Sequence, residues 1–348
     1  MNPKFQLFGI PSILGAIIFG WLYYKTGNSL YVWQAFNLSL IEVSMSFDNA
    51  VVNEQKLKGM TPFWQQIFFW FGIPIAVLGM RFYVPLEIVS SIEGSTLSDA
   101  YNMAINAPDQ FAASLRQAHA AIAGFGGAFL MLTAFEFFGS DEKEEHWLPG
   151  EGILAKIGVV RGLEFVAVFI ALLIGYHVSQ SVPLVLAGIG GCIVFVGMSA
   201  LKQGMEKIDG WLGASTITAL RVLQGGLGGF LYLEVLDASF SLDGVVAAFA
   251  ISKNIWVVAA GLGVGAIFVR ELTLWMVKTG ASATFKYLPN GAFWSILALS
   301  VTMFVSVSHE VPDWLVSVMS VGFIVAALIT SKLSKDSSET VPAGGVSV

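Results

Sequence analysis

Five carboxylates stand in two stretches that otherwise read as membrane-buried. Glu42 and Asp48 lie in Glu42-Val43-Ser44-Met45-Ser46-Phe47-Asp48-Asn49; Asp237 and Asp243 lie in Asp237-Ala238-Ser239-Phe240-Ser241-Leu242-Asp243-Gly244, with Glu234 just upstream. An acid at the centre of a spanning helix costs about 2.5–3.5 kcal/mol on insertion scales, so acids kept in hydrocarbon mark a pathway or a site. Arg81 and Arg270 accompany them. Five carboxylates against two guanidiniums leave three negative charges when all are ionised, a balance that calls for a bound cation, protons, or both. The donors available beside the acids are the hydroxyls of Ser46 and Ser241 and the amide of Asn49. These are hard oxygen donors suited to Mg²⁺, Ca²⁺ or Mn²⁺. Copper and zinc are disfavoured, because Cys192 is the single cysteine and the four histidines, His119, His146, His177 and His309, fall at segment ends or in loops.

The two stretches are related to each other. Glu42, Ser46 and Asp48 fall on Asp237, Ser241 and Asp243 at a constant offset of 195, and the segment after each carries one arginine, Arg81 or Arg270. At about 100° per residue, Glu42, Ser46 and Asn49 share one stripe of a helix, while Asp48 is displaced by about 120°. Either the acids face different neighbours or the helix breaks and both converge. Convergence is the expectation, with Gly225, Gly226, Gly228 and Gly229 at the start of the second stretch allowing a break.

The elements that must position these residues are membrane helices. Of 348 residues, 55% are hydrophobic and 12% charged, with mean hydropathy +0.73; soluble domains carry roughly 25% charged residues. A net charge of −6 excludes the basic surface of a nucleic-acid binder. Runs of about 20 apolar residues suffice to cross the hydrocarbon core, and ten are found: 5–24, 30–52, 63–85, 118–138, 153–176, 182–201, 220–251, 255–277, 291–308 and 313–331. The first lacks a cleavage site and is read as a retained helix. Eleven of the 18 Lys and Arg fall on the side of Lys4 and Lys335; Lys25, Arg116 and Lys253 fall on the other, and Arg81, Arg161, Arg221 and Arg270 lie within runs. The bias predicts that both termini are cytoplasmic. The predicted fold is thus an all-α polytopic membrane protein with one transmembrane domain, 1–331. Its two five-helix repeats, about 5–176 and 182–331, are inverted because an odd number of spans separates the motifs. Residues 86–117 and 139–152 read as soluble loops, outer and inner, the inner one carrying the solvated acidic run 141–146, and 332–348 reads as a disordered cytoplasmic tail. Inverted repeats recur in secondary transporters, which place substrate near the midplane.

These residues resemble the TerC family of integral membrane proteins, named for tellurite resistance. Its motif Glu-x-x-Leu-Ser-x-Asp-Asn appears as Glu42 to Asn49 with Met45 in place of Leu, and Asp-x-x-Phe-Ala-Leu-Asp-Ser appears as Asp237 to Gly244; Arg270 and Phe285-Lys286-Tyr287-Leu288 are similar to the family's arginine helix and its Phe-Arg-Tyr-Leu segment. The likeness covers roughly residues 30–310. It implies export of a divalent metal ion, manganese first, from a bacterial cytoplasm. On that reading Asp48 and Asp243 are primary ligands, Glu42, Asp237 and Asn49 complete the site, and Ser46 and Ser241 assist. Glu234, Glu136, Arg81 and Arg270 form a second tier, and Gly244 removes one ligand from the second half-site. Protons are the expected coupling ion. No Walker-type run is present, so ATP is not the fuel. No resident cofactor and no enzymatic activity are expected, since neither a Ser-His pair nor a His-Glu-x-x-His run occurs. The rival reading is a non-transporting scaffold or assembly factor of a stress-response complex, its acids forming buried pairs.

Overall fold

Apolar stretches punctuated by Gly, Pro and Asn fold as helices throughout the computed structural model, which describes residues 3–140, 146–154, 162–211 and 226–339. The acidic residues 141–145 and the positions of Arg161, Arg221 and Gly225 lie outside the described residues, as does 340–348 of the tail. The chain opens with α1 (Pro3–Thr26) and α2 (Ser29–Met45), the latter capped by the Asn28 side chain on the Leu30 amide. After a one-residue interruption at Ser46 comes α3 (Phe47–Lys58). A long apolar rod follows: α4 (Pro62–Pro74), a π-helical segment (Ile75–Tyr83) and α5 (Val84–Glu93). Gly94, in the left-handed region at φ 61°, ends the rod where a side chain would be strained.

Two short helices, α6 (Leu97–Asn106) and α7 (Pro108–Gln117), occupy the predicted outer loop. A reciprocal capping box between Thr96 and Asp99 starts α6, and the Thr96 hydroxyl and amide hold the Asp99 carboxyl below its usual range. Both helices bury apolar faces through Ala100, Phe111 and Leu115, so this stretch is packed structure where a solvated loop was expected. Then come α8 (His119–Phe138), α9 (Leu163–Ser179), α10 (Val182–Trp211), α11 (Leu227–Ile251), α12 (Ile255–Thr279), α13 (Ala281–Thr284), α14 (Leu288–Ser306) and α15 (Asp313–Glu339).

The fold is that of a polytopic membrane protein. Seven helices among the described residues are long and apolar enough to cross a bilayer, and their outer faces carry exposed apolar side chains such as Trp70, Leu78, Leu186, Ile193 and Val318. Lipid is the solvent such a surface fits. Three of the ten expected spans differ for identifiable reasons. The second is divided at Ser46 into helices of 17 and 12 residues. The fifth is described only from Leu163, as a 17-residue apolar helix. The seventh, α11, is long enough at 25 residues but carries Glu234, Asp237 and Asp243.

Helices α8, α12 and α14 form the interior, with α1, α10 and α15 at the periphery. Glycines let the interior helices approach. A Cβ at Gly124 would stand 2.1 Å from the Leu184 carbonyl oxygen, so α8 and α10 touch backbone to backbone. Gly124→Ala must force the two helices apart and is expected to cost about 1–3 kcal/mol. Thermal melting in detergent should show this loss, whereas Gly20→Ala, with nothing within 4 Å of the added atom, should melt as the wild type does.

Candidate functional site

Where α2 gives way to α3, Ser46 has φ −102° and ψ 15°, outside helical values. The Asn49 amide donates to Asp48 Oδ1 at 2.8 Å, a local side-chain bond that competes with the helical ladder. The consequence is the convergence expected of the first motif: Glu42, Ser46 and Asp48 line one cavity of about 30 Å³. A space of that size accommodates a water molecule or a small cation. Asp243 and Gly244 of α11, Ser295 and Thr302 of α14, and Ser320 of α15 close it, over a floor that includes Phe240 and Met319.

The second motif behaves differently. Helix α11 runs unbroken, and the glycines expected to break it cap its start, with Gly226 as N-cap. Asp243 therefore reaches the cavity, while Asp237 points to another neighbour. Its Oδ1 accepts from Asn49 Nδ2 at 2.8 Å and its Oδ2 lies 3.8 Å from Arg270 Nη2. Ser241 is buried in α11 but does not line the cavity. Of the seven expected ligands, four (Glu42, Ser46, Asp48, Asp243) share the cavity, and Asn49 and Asp237 form a bonded pair beside it.

Both arginines have internal partners. Arg81 is buried and forms a short ion pair with Glu42 Oε1, which also accepts from Ser46 Oγ at 3.1 Å; its other amino group donates to the Ala76 carbonyl at 2.7 Å. Gly265 of α12 makes room for Glu42, since a Cβ there would fall 2.5 Å from the glutamate's own Cβ. Arg270 lies over the Phe68 ring, donates to the Phe68 carbonyl at 2.9 Å and reaches Glu234 at 3.3 Å. Gly72 leaves the space its guanidinium fills: a Cβ there would stand 1.8 Å from Nη1.

This distribution of cations decides what the acids can do. Arg81 takes Glu42, and Arg270 takes Glu234 and approaches Asp237. Asp48, by contrast, is 1% exposed and is held by the hydroxyls of Ser295 at 2.6 Å and Ser320 at 3.2 Å, with no cationic partner among the described residues. Asp243 lies 3.5 Å from His119 Nε2, and that nitrogen is 3.3 Å from Ser306 Oγ. Two buried oxygens next to the cavity, Asn49 Oδ1 and Asp237 Oδ2, accept no hydrogen bond among the described residues. As the side chains stand, no three His, Cys, Asp or Glu groups among the described residues are gathered closely enough to hold a metal ion.

Ser295, Thr302 and Ser320 were not singled out in the sequence, because isolated hydroxyls in apolar helices recur as packing residues. His119, which stands at a segment end in the sequence, meets Asp243. Glu136 sits apart from the cavity, receiving the Tyr232 hydroxyl at 3.4 Å with Lys56 at 3.8 Å. Three buried acids beyond both motifs also emerge: Glu54, paired with Lys58 at 2.6 Å, Glu151, which accepts from Trp294 Nε1 and Asn290 Nδ2 at 2.9 Å each, and Glu271, which follows Arg270 on α12.

Fold and site together define an integral membrane protein with an acid-lined cavity enclosed between its helices. The chain belongs to the DUF475 family of proteins of unknown function, whose model matches residues 47–337. Comparison with curated proteins and with solved structures finds no match.

Proposed function

We propose that this protein is a secondary transporter that moves a hard divalent cation, Mn²⁺ first among them, out of the cytoplasm. The observation that carries the reading is the cavity between α2, α3, α11, α14 and α15, lined by two carboxylates without an arginine partner among the described residues, Asp48 and Asp243, beside Glu42 and four hydroxyls. An all-oxygen donor set of this kind suits Mn²⁺, Ca²⁺ and Mg²⁺. In the transport cycle the cation replaces Ser295 and Ser320 on Asp48, and closing of α11 toward α3 brings Asp243 to the same ion. Exchange of the cation for protons on these acids supplies the coupling.

The ten-span, inverted-repeat arrangement belongs to the same proposal. It draws support from the arginines: Arg81 meets Glu42 and Arg270 approaches Asp237, the same motif position in each half. In the resemblance to the TerC family the motifs serve metal export, which agrees with this chemistry. The test is flux. Purified protein in proteoliposomes should move Mn²⁺ down an imposed gradient faster than empty vesicles; absence of flux for Mn²⁺, Ca²⁺ and Mg²⁺ under both pH-gradient directions would support the scaffold reading instead. Orientation is tested separately. A reporter after Lys335 should read cytoplasmic and one beside Asp99 external, and the reverse pattern would overturn the direction of export.

A further inference from the structure

Away from the acid-lined cavity, α1, the π-helical segment and α12 enclose an apolar groove of about 330 Å³, lined by Ile18, Trp21, Val77, Leu78, Phe82 and Trp256. Its size falls in the range of pockets that bind small ligands. It opens on the lipid-facing side, where Leu78 and Trp21 are exposed. A cation stands beside it: the Lys25 ammonium lies 4.2 Å from the Trp256 ring centroid and 5.6 Å from that of Trp21, both of which line the groove. Trp256 is held there by stacking on Phe82 and by an edge contact with Tyr101. Apolar walls below a lysine set among indoles match a membrane lipid: an acyl chain along the groove, a phosphate at the ammonium, and the rings at the headgroup level.

We infer that the groove between α1, the π-helical segment and α12 is a binding site for one anionic glycerophospholipid, with Lys25 on its headgroup. The occupant is a lipid and not a second copy of this chain because the groove is a slot within one bundle that admits a chain, and because the lysine at its mouth selects negative charge. The π-helical segment gives the site a consequence. π-helical turns are rare and cluster at functional positions; here Val77 and Leu78 face the groove while Arg81 of the same segment reaches Glu42 at the acid-lined cavity. A bound chain thus braces the segment that carries Arg81.

The test is independent of transport. The detergent-purified full chain is delipidated, titrated with phosphatidylglycerol or phosphatidylcholine, and read by native mass spectrometry. The wild type should hold one phosphatidylglycerol in preference to phosphatidylcholine. Leu78→Trp, which fills the groove with a ring at an exposed position, should abolish that adduct. Lys25→Gln should keep the adduct but weaken it about fivefold, the factor that corresponds to about 1 kcal/mol for one basic residue at an anionic surface, and should erase the preference. Hydrogen exchange at the amides of 75–83 should slow on adding phosphatidylglycerol to the wild type and not to Leu78→Trp. Equal adducts in all three proteins, equal retention of both lipids by the wild type, or a dimer in place of the lipid adduct would overturn the assignment.

Discussion

Asp48→Asn and Asp243→Asn are each expected to abolish Mn²⁺ flux in proteoliposomes while leaving expression and thermal stability close to wild type. The amide keeps the shape of the carboxyl and removes the charge on which a divalent cation depends. Stability should survive because neither acid neutralises a buried arginine among the described residues: Asp48 is held by Ser295 and Ser320, whose hydroxyls can bond an amide oxygen as well, and Asp243 is about a quarter exposed next to His119. The double mutant should be no worse than either single one, since residues that act as a unit are not additive. Retained flux in both single mutants would remove the shared-cation site, and flux reduced only in proportion to lost protein would point to the scaffold.

The helical, membrane-embedded character of the chain was legible in composition and in apolar runs, because lipid-facing surface leaves an unmistakable shortage of charge. Pairing of Arg270 with an acid was legible too, since an arginine well inside an apolar run has no path to the headgroups; Arg81 stands near the end of its run, where snorkelling was open to it, and its pairing with Glu42 was less legible. Less legible was where the motif helices would bend. Glycines at 226–229 looked like the break, but they start α11, whereas the interruption falls at Ser46, where no glycine or proline stands and the competition of Asp48 with the backbone is the local signal. The constant offset between the motifs also concealed a difference in role. Glu42 and Asp48 share one cavity across the interruption, but Asp237 and Asp243, six residues apart on an unbroken helix, face different neighbours. Hydroxyl partners such as Ser295 and Ser320 lie some 250 positions from Asp48 in sequence, and only packing of α14 and α15 against α3 brings them to it.

The opposite behaviour is expected at Glu42, and the contrast separates ligation from structural pairing. Glu42→Gln leaves the Arg81 guanidinium, 2% exposed, without the carboxylate it is bonded to; the Ala76 carbonyl still accepts from it but carries no charge, and Asp237 acts on it only through space. Removing one partner of a buried ion pair costs about 3–5 kcal/mol, because the charge that remains is uncompensated. Thermal melting in detergent should therefore place Glu42→Gln well below both Asp48→Asn and the wild type. Replacing the pair as a whole, in Glu42→Gln/Arg81→Met, removes the stranded charge together with its partner and should recover most of that loss. Flux should stay low in both proteins, since Glu42 also lines the cavity that holds Asp48. A Glu42→Gln protein as stable as the wild type would mean that Asp237 alone compensates Arg81, and the Glu42 pair would then have no claim to hold the π-helical segment against α2. Recovery of stability in the double mutant without recovery of flux is the pattern that assigns Glu42 both roles.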